Sequence, residues 1–363
     1  MKRILLYIFI TIFLISPSLT LAGEGGSMEK LWYFKEEEKS RKSLFQNYTK
    51  IDVLAPQTFY LRFDYRKNEF YIENKMKQDV IGFAKEKNIK VLPLLANISF
   101  NKKGNEYFDR FLIHKLLNDK KSQEKIVKDM IDIANKYNIG AKTIIGWQLD
   151  LEAIDGNYKD RFTEFTRLME TEFQKNNLIT SAAIVSKISD NSKDYEKIYW
   201  DKWASVYDYK KLGEILDFIS VMAYDEPRSK GPVATIDWSQ KVLKYSLENL
   251  PKEKISFGIP VYAWAYRSAE YKKGGKHFTM TNYDLVAKYL NGENKNKKTG
   301  EGRSEVFGNI PWISYDRSGV NYTIWYEDKM SFEKKLNNIK DKGIRGFSVW
   351  VLGDEDFNIW NLF

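Results

Sequence analysis

Residues 143–152 read Thr-Ile-Ile-Gly-Trp-Gln-Leu-Asp-Leu-Glu. In an extended chain the side chains alternate between faces. Ile145, Trp147, Leu149 and Leu151 are therefore expected on one side, and Gly146, Gln148, Asp150 and Glu152 on the other. A strand covered on both faces is apolar throughout, so a polar row faces either water or an occupied polar site. Carboxylates two residues apart lie roughly 6 to 7 Å from each other at Cα and can converge on one small ligand. That is an arrangement for acid/base chemistry.

Outward from this stretch the chain alternates. Strand patterns occur at 31–35, 51–55 (closed by Pro56), 89–96, 178–185, 215–223, 255–262 and 346–352, with 143–152 the fourth in order. Helical spacing of apolar residues separates them, as in Met76, Val80, Ile81 and Ala84, or Ile126, Met130, Ile133 and Tyr137. The rhythm breaks over 265–321, which mixes aromatic runs with a lysine-rich tract at 291–303 expected to be an exposed tip. Eight strands with intervening helices define an α/β chain, a (β/α)8 TIM barrel with a small α+β insertion domain between strands 7 and 8. The expected division is 1–22 as signal peptide, 23–264 and 322–363 as barrel, and 265–321 as insertion.

The first residues carry Lys2 and Arg3, an apolar run over 4–15 and a small-residue cleavage site at Ala22, the pattern of a secretory signal. The run is short for a membrane span, so the expectation is a secreted or cell-envelope protein without stable membrane insertion; an uncleaved signal anchor is the alternative. Cysteine is absent and there are two histidines, His114 and His277. Thiol chemistry, Ser-His catalysis and His-rich metal ligation are thereby excluded or nearly so, and no metal or cofactor is expected. The formal charge of +9 falls by two, to +7, without Lys2 and Arg3. Nucleic acid is not an expected partner for an exported chain, whereas an anionic wall polymer fits; a solvated lysine-rich surface explains the charge equally. Ten tryptophans and 23 tyrosines suit the stacking of pyranose faces, although aromatics also build cores.

Active sites of such barrels lie at the carboxyl ends of the strands. The notable residues fall there: Asn97 after strand three, Asp150 and Glu152 on four, Tyr224 and Asp225 on six, Tyr262 on seven and Trp350 on eight. Leu-Asp-Leu-Glu at 149–152, Met-Ala-Tyr-Asp at 222–225 and Gly-Phe-Ser-Val-Trp-Val-Leu-Gly-Asp-Glu-Asp at 346–356 together resemble glycoside hydrolase family 18, in its bacterial branch of spore-cortex and cell-wall N-acetylglucosaminidases. Gly-Pro-Val-Ala-Thr-Ile-Asp-Trp from Gly231 and Ile-Trp-Tyr-Glu-Asp at 324–328 are similar to the same branch.

The resemblance implies retaining, substrate-assisted cleavage of β-1,4 linkages at N-acetylglucosamine, in peptidoglycan or a chitin-like polysaccharide. It implies Glu152 as general acid, Asp150 as the residue orienting the acetamide, and Tyr224 as its hydrogen-bond donor. Asp225 and Trp350 are implied as sugar contacts, with Gln148, Asn97, Tyr262 and Glu327 as further substrate-binding candidates. The family's usual run has two more acids, where this chain has Ile145 and Gln148. Ile145 is expected to face outward at little cost. Gln148 cannot share a proton as an acid would, which keeps open a lectin that binds N-acetylglucosamine glycans without cutting them. Oligomeric state is not legible in the sequence.

Overall fold

The structure is a computed structural model that describes residues 28–227, 229, 231–267 and 278–363; the expected signal peptide lies outside the described residues. The first strands are β1 (Glu29–Phe34), β2 (Val53–Pro56), β3 (Phe59–Asp64), β4 (Glu69–Asn74), β5 (Lys90–Val91), β6 (Leu94–Ala96), β7 (Ile98–Phe100) and β8 (Glu106–Phe108). There follow β9 (Gly146–Asp150), β10 (Ile179–Val185), β11 (Phe218–Met222) and β12 (Ile255–Pro260). After these come β13 (Ala263–Arg267), β14 (Phe278–Thr281), β15 (Lys297–Ser304), β16 (Ile310–Arg317), β17 (Val320–Trp325) and β18 (Gly346–Trp350).

Eleven strands form one curled sheet in the order β4-β3-β6-β9-β10-β11-β12-β18-β1-β2-β5. Every pairing in it is parallel except the β3–β4 hairpin. Parallel neighbours need crossovers, and helices supply them. These are α1 (Glu38–Asn47), α2 (Gln78–Glu86), α3 (Arg110–Leu117), α4 (Lys120–Tyr137), α5 (Lys159–Lys175), α6 (Tyr209–Ile215) and α7 (Ile236–Asn249). After α8 (Tyr283–Leu290), α9 (Lys329–Ile339) leads into the last strand. The helix α4 illustrates their construction: Asp119 caps its start by accepting from the Ser122 N–H, and Ile126, Met130 and Ala134 are buried at helical spacing.

Between the outer face of the sheet and the helices lies the main core, including Trp32, Phe34, Trp147, Leu149, Phe165 and Val349. A smaller apolar cluster fills the inside of the curl, with Leu31, Val53, Leu94, Ile145, Ile179 and Phe218. Ile145 is therefore inside, contrary to the simple alternation. Val91 pairs with Ile144 while Leu94 pairs with Gln148, so this strand holds one residue more than its neighbour between those points. The extra residue is a bulge, and it reverses parity between Ile145 and Gln148.

The expected third strand is split into β5 and β6 by Leu92 and Pro93, where proline has no N–H to pair. Two hairpins were not legible as strands. One is β3–β4; the other is β7–β8, paired Ile98 to Phe108, and the next helix begins at Arg110. Strands β13 to β17 form a second, antiparallel sheet in the order β14-β13-β17-β16-β15, packed with α8 through Val286, Tyr289 and Ile313. The lysine-rich tract expected as an exposed tip is exposed but ends in an edge strand, β15, whose lysines suit an edge open to water.

Candidate active site

Above the apolar filling, the inside of the curl turns polar. Gln148 is fully buried. Its carbonyl accepts from the Tyr33 hydroxyl at 2.8 Å, and its amide nitrogen donates to Ser181 at 2.9 Å and Ser220 at 3.0 Å. Both N–H groups are thereby used, as burial of an amide demands. Gln148 stiffens the floor of the site through these three bonds and is not among the residues that line the cleft.

One step higher, Asp150 ends β9 and is 3% exposed. Its Oδ2 accepts from Gln57 Nε2 at 2.9 Å. Glu152 follows just beyond the strand, half-buried at the cleft. Asn97, fully buried, holds the main chain of Glu152 from both sides, accepting from its N–H and donating to its carbonyl, each at 2.9 Å. Asn97 is a clasp on Glu152 and is not among the residues that line the cleft. Immediately afterwards Ala153 adopts φ 57°, a left-handed turn that leads the chain away.

Tyr224 and Asp225 follow β11. The Tyr224 ring lies edge-on to Tyr262, with centroids 6.3 Å apart. Across it, a Cβ on Gly258 would come within 2.9 Å of the ring and 2.6 Å of the Val221 carbonyl oxygen, so only glycine leaves room for this tyrosine. Asp225 has φ 56° and accepts a hydrogen bond from the Tyr262 hydroxyl. Tyr262 is 1% exposed and holds Asp225 from behind the cleft lining. Trp350 ends β18 and tilts over Tyr33 with centroids 5.2 Å apart.

These side chains open on one cleft of about 530 Å³. Asp150, Glu152, Tyr224, Asp225 and Trp350 line it, together with residues the sequence reading did not single out. Gln57 sits between β2 and β3, and Tyr33 faces inward on β1; strand parity and the strand-end rule were signals for both. Tyr107 and Phe108 on β8, Tyr199, Trp203 and Met280 line the walls. Trp203 meets Phe108 edge-on at 6.1 Å; one comes from a short helical turn and the other from a short hairpin, whose placement no local pattern foretells. Lys35 also lines the cleft, 3.1 Å from Glu106.

Glu327 stands apart. It is 1% exposed, ion-paired with Lys335 and accepts from Ser331 at 2.7 Å, and it is not among the residues lining the cleft. Its carboxylate is one half of a buried ion pair.

The electrostatics favour protonated acids. Burial raises the Glu152 carboxyl well above its ordinary value, reinforced by the negative charges of Asp150 and Asp225. Burial also pushes Asp150 up to about 6, against the opposing effects of the Gln57 amide, the adjoining Glu152 and Lys35. Desolvation by the cleft walls lifts Asp225 to about 6, tempered by the Tyr262 hydroxyl. A carboxyl group held neutral beside one able to ionise is the acid/base pairing of a glycoside hydrolase.

Comparison with known proteins agrees. The family model for Glycosyl hydrolases family 18 matches residues 31–356, and the chain belongs to this family. It is a glycosidase. Among curated relatives, an uncharacterized glycosylase, YvbX, of Bacillus subtilis (strain 168) is 24% identical over 331 residues, covering 90% of this chain and 88% of the relative. A cortical fragment-lytic enzyme of Bacillus anthracis is 25% identical over 336 residues, covering 91% and 73%. The fold resembles the spore cortex-lytic enzyme SleL of Bacillus cereus, with TM-score 0.74 at 23% identity over 92% of this chain and 73% of that one. A class V chitinase of Pseudomonas fluorescens gives TM-score 0.74 at 22% identity over 92% and 98%.

Proposed function

We propose that this chain is an exported glycosidase that cleaves β-1,4 linkages at N-acetylglucosamine, in peptidoglycan or a chitin-like glycan, by retaining, substrate-assisted catalysis. The observation that carries this reading is the pairing of Asp150 and Glu152 at the head of one strand, in a cleft shared with Tyr224, Asp225 and Trp350. Glu152, kept protonated, delivers its proton to the glycosidic oxygen. The substrate's own acetamido oxygen then attacks the anomeric carbon, so the enzyme supplies no nucleophile. Asp150 orients the acetamide and, once ionised, stabilises the positive charge of the cyclic intermediate. The Tyr224 hydroxyl donates to the acetamido oxygen, Asp225 holds the same sugar, and Trp350 floors its pocket. In the second step the ionised Glu152 takes a proton from water.

The scaffold in this reading is a closed (β/α)8 barrel spanning 23–264 and 322–363, with 265–321 inserted. Its support is the continuity of pairing across Leu92 and Pro93. There the Leu92 N–H donates to the Leu54 carbonyl at 2.8 Å, and the Pro93 carbonyl accepts from Gln148 at 3.0 Å, which links β2 on one side with β9 on the other. Cleavage of a signal near Ala22 places the mature protein outside the cytoplasmic membrane. None of the helices among the described residues is long and apolar enough to cross a membrane. The names of the spore-cortex relatives favour wall glycan as substrate.

The test is product analysis by mass spectrometry after incubating the protein, and its Glu152→Gln variant, with N-acetylglucosamine oligomers and with purified peptidoglycan. Cleavage by the wild type alone is expected. Binding of the oligomers by both proteins without cleavage by either would replace this reading with a lectin.

A further inference from the structure

Asp150 has one neighbour whose position calls for explanation. Gln57 lies in the break between β2 and β3, and its main chain is pinned at both ends: its N–H donates to the Phe34 carbonyl at 2.9 Å, and its carbonyl accepts from the Tyr60 hydroxyl at 3.0 Å. Pro56, just before it, further restricts the backbone. The side chain is 3% exposed and reaches across to Asp150 Oδ2 at 2.9 Å.

Below, Gln148 can offer Asp150 nothing. Both of its N–H groups go to Ser181 and Ser220, and its carbonyl is engaged by Tyr33. From the far side of the site, Gln57 donates to Asp150 Oδ2, while the Glu152 carboxyl adjoins the same aspartate. An aspartate anchored through one oxygen by a rigid neutral donor leaves its other oxygen free to face Glu152 and a bound ligand.

We infer that Gln57 is a positioning residue for the reaction, which fixes the rotamer of Asp150 and holds it in the ionised form that works beside Glu152. The inference rests on the reading of Asp150 and Glu152 as the catalytic pair. It adds a third member, supplied by a different strand and with no proton of its own to give. Because an amide N–H bonds more strongly to a charged carboxylate than to the carbonyl oxygen of a neutral acid, Gln57 favours the ionised aspartate. Burial acts the other way on the same group.

The experiment measures kcat and KM across pH on N-acetylglucosamine oligomers for wild type, Gln57→Leu and Gln57→Glu, with thermal melting of each to confirm folding. Gln57→Leu keeps the volume without the donor; Gln57→Glu keeps the shape and gives the protein a second route to the answer should the leucine variant not fold. For Gln57→Leu, kcat is expected to fall about tenfold or more with KM within about twofold, the pattern of an interaction used in the transition state. The acidic limb of the profile moves to higher pH in both variants, because Asp150 keeps its proton longer once the donor is gone. A rise in KM with kcat and pH profile unmoved would make Gln57 a mere sugar contact and overturn the inference, as would unchanged kinetics. The wild type and Glu152→Gln, run alongside, separate this outcome from failure of the catalytic reading: if the wild type does not cut, that reading falls first and this inference falls with it.

Discussion

The side-chain amide of Asn97 grips Glu152 by its backbone, with Oδ1 accepting from the Glu152 N–H and Nδ2 donating to the Glu152 carbonyl, both at 2.9 Å. The strand ladder ends at Asp150, so without this clasp the main chain of Glu152 would have left the sheet unsupported. Asn97→Ala is expected to leave two buried main-chain groups unpaired, costing about 1 to 3 kcal/mol of stability. Loss of precise placement lowers kcat by about tenfold or more. Melting curves and turnover of oligomers check both effects, and Asn97→Asp, which keeps the acceptor alone, is expected to fall between.

The activity profile follows from the pair. Turnover needs Asp150 ionised and Glu152 protonated. Asp150 titrates at about 6, and Glu152 is raised well above the ordinary carboxyl range. A bell-shaped dependence of kcat/KM is therefore expected, with an acidic limb near pH 6 and an alkaline limb set by loss of the Glu152 proton. The two limbs belong to the interacting pair and not to either residue alone. A profile flat from pH 5 to 8 would contradict this assignment.

Stability carries the opposite signature. The folded pKa of Asp150 is raised from 3.8 to about 6, so between those values the native state binds more protons than the unfolded one and stability falls as pH rises. Above about pH 6 the whole cost of an ionised buried aspartate is present. Asp150→Asn, which can still accept from Gln57, removes it. At pH 7.5 the variant is expected to be more stable than wild type, on the order of 2 kcal/mol, with little difference at pH 4, while activity is lost. Paired thermal melts at the two pH values decide the sign.

The parts of the cleft lining legible in the sequence are those where strand period and strand end coincide. Asp150, Tyr224, Asp225 and Trp350 stand at the heads of parallel strands, where direction and depth follow from counting in twos. Ile145 failed that count because a bulge adds a residue, and no composition signal marks a bulge. Asn97, Gln148 and Tyr262 stand on or just beyond strands as expected but are buried behind the cleft lining, and the sequence pattern carries no signal for that depth. The hairpin β7–β8 and the short helical turn carrying Trp203 enter the cleft by a course that depends on tertiary packing and not on local period. The second sheet was legible only as a break in rhythm, since its inward residues, such as Ile313, Tyr315 and Ile324, sit among polar and charged neighbours.

Tyr224 offers a test that separates ring from hydroxyl. Its ring is packed between Gly258 and Tyr262, so Tyr224→Phe is expected to fold with stability within about 1 kcal/mol of wild type. The missing hydroxyl is expected to lower kcat by about tenfold to a hundredfold, in the range of a lost charge-stabilising donor. Gly258→Ala attacks the ring instead. Its Cβ would meet backbone at 2.6 Å and the tyrosine at 2.9 Å, and a loss of about 1 to 3 kcal/mol is expected together with reduced turnover. Equal behaviour of the two variants in melting would refute the packing account.

Glu327 and Lys335 form the control for the whole site. Their side chains are 1% and 2% exposed and directly ion-paired, and Ser331 completes the acceptor side at 2.7 Å. Desolvation raises the Glu327 carboxyl, and Lys335 opposes it, so the charge survives only as half of a pair. Removing one partner strands the other: Glu327→Ala is expected to destabilise the fold by about 3 to 5 kcal/mol, whereas the apolar pair Glu327→Leu with Lys335→Met recovers much of that. Since neither residue lines the cleft, the double variant is expected to retain kcat and KM for oligomers within about twofold. A selective rise in KM, with melting unchanged, would return Glu327 to the sugar-binding role that the sequence first suggested.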